Sequence, residues 1–77
     1  MSDSNYDAFL KKYSLAITYL EKRLPSNEAK MNLARTLYYD SLNNKINMNT
    51  LMTDVKMFYQ GSTLSQLKLN NYIEKYK

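Results

Sequence analysis

The sequence predicts an all-α domain: a small four-helix bundle with short connections. Three observations point to it. Apolar residues recur at spacings of three and four along nearly the whole 77-residue chain, the period of a helix with one buried face. Gly and Pro occur once each, which is sparse for a β-rich or disordered chain. Both fall between apolar runs, where they act as punctuation. A chain of this length makes one domain, 1–77, with a modest core. The predicted helices span about 5–24, 27–42, 48–59 and 63–75.

In the first helix, Asp3 or Ser4 is the candidate N-cap, and Asp7 lies in the first turn, where the helix dipole favours an acid. Tyr6, Phe9, Leu10, Tyr13, Ala16, Ile17, Leu20 and Leu24 form one stripe. Tyr19 stands beside the stripe, and Leu15 lies away from it. The helix ends near Leu24, because Pro25 disfavours a helical backbone in the residue before it.

Ser26 is the N-cap of the second helix, and Glu28 supports its first turn. Its apolar residues are Ala29, Met31, Leu33, Ala34, Leu37, Tyr38 and Leu42. At about 100° per residue they cover roughly half the circumference, wider than docking on one neighbour requires. Either this helix packs centrally against several others, or part of its face is left for a partner. Tyr39 falls off that face and is expected at the surface.

Asn43 and Asn44 make the next turn, and Ile46 anchors it to the core. Asn47, or alternatively Asn49, caps the third helix, whose apolar residues are Leu51, Met52, Val55, Phe58 and Tyr59, with Phe58 assigned to the core. Gly61 directly after this run is the expected C′ residue, since a left-handed backbone carries no Cβ penalty there. Ser62 then caps the fourth helix, with Leu64, Leu67, Leu69, Tyr72 and Ile73 as its apolar positions. Short connections imply antiparallel neighbours.

Catalytic constellations are absent from the sequence. With no Cys and no His there is no disulfide, no thiol chemistry and no zinc site of the usual kind. Asp3, Asp7, Glu21, Glu28, Asp40, Asp54 and Glu74 show no pairing that suggests metal ligands or an acid/base couple; they read as solvent-exposed partners of lysines. No Gly-rich phosphate loop occurs. The expectation is therefore a binding domain and no enzyme, with no metal, no cofactor and its function in a surface. No stretch is apolar enough to span a membrane and no signal peptide is visible, so a cytosolic or nuclear setting is expected. The net charge of +4 is scattered, with small clusters at Lys11 and Lys12 and at Lys22 and Arg23; it reads as a solvated face rather than a phosphate-binding one. Eight tyrosines fit either a partly apolar binding groove or the edge of a core.

The run Ala16-Ile17-Thr18-Tyr19-Leu20 resembles the Ala-Leu-Ser-Tyr-Leu start of a paired amphipathic helix domain, the repeated module of Sin-type transcriptional corepressor scaffolds. The second half is similar to the same family. Ile46, Leu51 and Met52, Val55, then Phe58-Tyr59-Gln60-Gly61 and Leu69-Asn70-Asn71-Tyr72-Ile73 follow its Ile, Val-Ile, Val, Leu-Phe-Lys-Gly and Phe-Asn-x-Phe-Leu pattern without gaps. Ser41-Leu42-Asn43-Asn44-Lys45-Ile46 also resembles the Leu-Leu-Asp-Gly-Lys-Ile of the related TAF homology domains, which with the RST domain share the pattern. The first helix here begins well before Ala16, which the family pattern does not require.

The resemblance implies an apolar cleft between helices 1 and 2 that receives a short amphipathic helix from a transcriptional regulator, in the nucleus. By position the cleft residues would be Tyr13, Ile17 and Leu20 on helix 1 and Leu33, Leu37 and Tyr38 on helix 2, with Met31 and Met52 as adaptable lining. The alternative reading is a small basic nucleoid- or DNA-associated regulator of bacterial, plasmid or phage origin, cytoplasmic, whose binding would fall steeply with salt. Self-association through an unfilled cleft is a third.

Overall fold

The computed structural model describes residues 3–77, and all of their regular structure is helical. There are five helices: α1 (Ser4–Lys12), α2 (Ser14–Arg23), α3 (Asn27–Leu42), α4 (Met48–Tyr59) and α5 (Thr63–Tyr76). The all-α class stands. The expected count of four does not, because the first predicted helix divides at Tyr13.

Tyr13 sits at φ −111°, ψ 19°, outside the helical well. The hydrogen bonds on either side survive: Tyr13 N–H donates to Phe9 C=O and Ile17 N–H donates to Tyr13 C=O, each at 3.0 Å. The division is thus a bend rather than a gap. Neither Gly nor Pro marks it; packing supplies the reason. A straight 20-residue helix would run about 30 Å against about 24 Å for the 16 residues of α3. Bending at Tyr13 turns the overhang back, so that Tyr6 and Phe9 both meet the ring of Tyr38 on α3.

The other boundaries follow the local signals. Asp3 caps α1, accepting from the N–H groups of Asn5 and Tyr6. Ser26 accepts from Ala29 N–H, Asn47 from Asn49 and Thr50, and Ser62 from Ser65. Helices α3 and α4 end in the same six-residue arrangement. Lys45 N–H reaches Asp40 C=O and Asn44 N–H reaches Ser41 C=O; likewise Ser62 N–H reaches Met57 C=O and Gly61 N–H reaches Phe58 C=O. These are Schellman closures, which place one residue in the left-handed region. Gly61 takes that place at φ +98°, and Asn44 at φ +57°.

The central element is α2, not α3. It packs against α3, α4 and α5, while α3 packs principally on α2 and α1. Ala16, Leu20, Leu37, Leu51, Val55 and Leu69 are closed to solvent. Tyr19, expected beside the stripe, is buried as well. Its ring meets Phe58 edge-on at 5.3 Å, and the Arg23 guanidinium lies 3.6 Å from its centroid while Nη1 donates to Tyr19 C=O at 3.0 Å. The guanidinium roofs the ring, so one exposed cation completes an otherwise aromatic pocket. Burial raises the Tyr19 pKa, with Arg23 acting in the opposite direction. Phe58 is half-buried against this cluster rather than fully enclosed.

Two acids are covered rather than facing solvent as expected, although Asp40 keeps a lysine beside it, Lys75 Nζ at 4.0 Å. Asp54 on α4 is buried and makes no ion pair among the described residues. Asp40 accepts a 2.7 Å hydrogen bond from the Tyr76 hydroxyl, which latches the end of α5 to α3. Lys75 adds a 3.3 Å bond to Lys45 C=O beside that latch. Desolvation and then the hydrogen bond to Asp40 push the Tyr76 pKa well above its ordinary value.

Candidate functional site

The six cleft residues divide into two groups. Ile17 and Leu20 on α2 and Leu33 and Leu37 on α3 are buried in the common core. The expected cleft is therefore closed along these four, and a ligand reaches them only if α2 and α3 part. Tyr13 and Tyr38 are half-buried, and both join an aromatic nest at the α1 end of the same helix pair.

That nest is built by α1. Tyr6 and Phe9 each stand edge-on to Tyr38 with centroids 5.2 Å apart, and Phe9 meets Tyr13 at 5.1 Å. Tyr39 extends the group outward at 5.6 Å from Tyr38. Edge-to-face pairs at these distances add to the burial of the rings. The polar fringe is thin. The Tyr38 hydroxyl points to Asp3 Oδ2 at 3.5 Å, and the Tyr13 hydroxyl donates to Asn49 Oδ1 at 3.1 Å, tying the bend to the first turn of α4. Desolvation, with Asp3 next to it, raises the Tyr38 pKa above its ordinary value. The Arg35 guanidinium lies 5.9 Å from the Tyr6 centroid.

The wide apolar face of α3 is only partly used. Leu33 and Leu37 point inward, but Met31 is 81% exposed and Leu42 60%. Met31, Arg35 and Tyr39 follow at intervals of four, so the exposed residues form a stripe down the outer side of α3. Met52, the other proposed lining residue, is half-buried. No group of three or more metal-ligating side chains occurs among the described residues, and no helix is long and apolar enough to cross a membrane.

A second uncovered patch was not foreseen. Leu64 and Leu67, two of the five apolar positions read on the fourth helix, are 63% and 64% exposed. The face that packs is Ser65, Leu69, Tyr72, Ile73 and Tyr76, which at about 100° per residue fall on one side of the helix. Leu64 and Leu67 lie off that register, and strict use of the angle finds the right stripe.

No family model, no curated protein and no solved structure matches the chain.

Proposed function

We propose that this chain is a protein-interaction module that receives a short amphipathic helix of a transcriptional regulator against α2 and α3, at the end marked by Tyr13 and Tyr38. The observation that carries the reading is the surplus apolar surface of α3. The bundle covers Leu33 and Leu37, leaves Tyr38 half-covered, and leaves Met31 and Leu42 in water. A helix carrying apolar anchors at i, i+3, i+4 and i+7 is the ligand such a surface fits. Exposed Met at its edge adapts to differing anchors. The resemblance to corepressor helical domains supplies the transcriptional and nuclear part of the proposal.

The test is an amide chemical-shift titration with a peptide carrying Leu or Ile at those four positions. Shifts centred on Tyr13 and Tyr38 are expected, and Tyr38→Ala should weaken binding more than it lowers the unfolding midpoint. A peptide that leaves every amide unshifted at millimolar concentration would overturn the reading.

A further inference from the structure

We infer that α1 is a displaceable stand-in for the partner helix, so that the surface around Tyr38 takes a helix whose anchors reproduce Tyr6, Phe9, Leu10 and Tyr13, and the partner binds by replacing α1. The inference rests on the function proposed above and names the chemistry of its partner. It begins from spacing. The four apolar residues of α1 and its bend fall at i, i+3, i+4 and i+7, the anchor pattern of a helix lying in a groove. A segment with ligand spacing already lies against Tyr38, one of the six cleft residues, and ends in another, Tyr13.

The attachment of α1 is slight. Within its nine residues only Phe9 is buried. No ion pair joins it to the rest of the described chain; across to α3 it has the 3.5 Å contact between its cap Asp3 and Tyr38 and the Arg35 guanidinium 5.9 Å from the Tyr6 ring. A helix this short is marginal in water without tertiary packing, so α1 unwinds once it leaves its seat. The bend at Tyr13 is where it would swing, since α2 is held independently by α3, α4 and α5.

What α1 presents defines what the seat prefers. Two aromatic anchors three residues apart meet Tyr38, and a carboxylate three residues before the first approaches the Tyr38 hydroxyl. Arg35 borders the first ring and makes no ion pair among the described residues. The preferred partner is therefore an amphipathic helix with aromatic first and second anchors and an acidic N-terminal end. That acid also suits the positive pole of the partner's own dipole.

The experiment uses the full chain as wild type, Phe9→Asp and Tyr6→Ala, with two probes: a synthetic peptide of residues 3–13 and a generic Leu/Ile amphipathic helix. Both variants loosen α1 from its seat. Tyr6→Ala removes a half-buried ring and keeps the comparison readable if Phe9→Asp fails to fold. The 3–13 peptide should bind the loosened chains at least about tenfold more tightly than wild type, because the competent state is no longer a minor one. In the wild-type complex the α1 amides should lose exchange protection while those of α4 and α5 keep it. Equal affinity for all three chains, with α1 still protected in the complex, overturns the inference and leaves the proposed function standing. Binding of the generic helix without binding of the 3–13 peptide does the same. Binding of neither probe to any chain overturns both.

Discussion

The α4–α5 hairpin and the α1 segment are the two extremes of this molecule. The hairpin is its most extensively packed helix pair. Its corner is closed twice over, by Gly61 in the left-handed region and by the Ser62 cap, and Leu51, Val55 and Leu69 line its inner side without exposure. Helix α1 has a good cap of its own in Asp3, yet Phe9 is its one buried residue, with Tyr6 and Leu10 half-buried beside it. Local hydrogen bonding is satisfied in both. What differs is the buried apolar surface behind it, and that is what decides whether a segment opens alone or only with the whole domain.

The sharpest way to expose the contrast is to cut one apolar side chain from each region. Leu69→Ala should cost about 2–5 kcal/mol of global stability in urea denaturation, since Leu69 is fully enclosed. Phe9→Ala should cost clearly less globally and instead strip protection from α1 alone. A Phe9→Ala loss equal to that of Leu69→Ala would mean that the two regions form one cooperative unit.

A backbone change tests the corner of the hairpin. Gly61→Ala meets no neighbouring atom within 4 Å, so its whole cost is the positive φ, about 1 kcal/mol in the same denaturation. The latch between α5 and α3 ranks alongside it. Tyr76→Phe removes the hydrogen bond to Asp40 and should cost about 1 kcal/mol near neutral pH.

The latch also carries a pH signature. Tyr76 has a folded pKa above its ordinary value near 10, so the unfolded chain gives up this proton first. Its contribution is complete below that value and is lost as pH rises through the folded pKa. Tyr19 and Tyr72 are shifted in the same direction, chiefly by burial. Unfolding midpoints should therefore fall above about pH 10, and less steeply in Tyr76→Phe. The smallest effect is expected at Lys77, whose 2.8 Å pair with Glu74 is largely exposed; Lys77→Ala should change stability by only a few tenths of a kcal/mol.

The same contrast governs what could be read in advance. Helices α3 and α4 match their predicted spans, and α5 extends one residue further, because each boundary is written in local chemistry: Ser26, Asn47, Gly61 and Ser62. The bend at Tyr13 has no such marker. It exists because α3 ends where it does, and a length mismatch between two helices is invisible to a window on one of them. The burial of Tyr19, which stands beside the stripe, is hidden from the sequence for a related reason: its pocket is made by Arg23 and Phe58, and Phe58 lies far away in sequence. Asp54 reads like any other helical acid in the sequence, and its burial shows only in the packed fold. At the candidate site, spacing marks the wide apolar face of α3, and only the family resemblance names Tyr13 and Tyr38 as cleft residues. Neither says that α1 turns back to cover them, since that follows from the bend.

The most direct test of the whole account is native-state amide hydrogen exchange on the free chain across a denaturant series. The α4 and α5 amides around Leu51 and Leu69 should exchange only through global unfolding, with a steep dependence on denaturant. Those of α1 should exchange through a low-energy opening that hardly responds to it. If the α1 amides instead share the protection and the denaturant slope of the hairpin, α1 is a fixed part of the bundle, and its role as a seat-holder for a partner helix is contradicted.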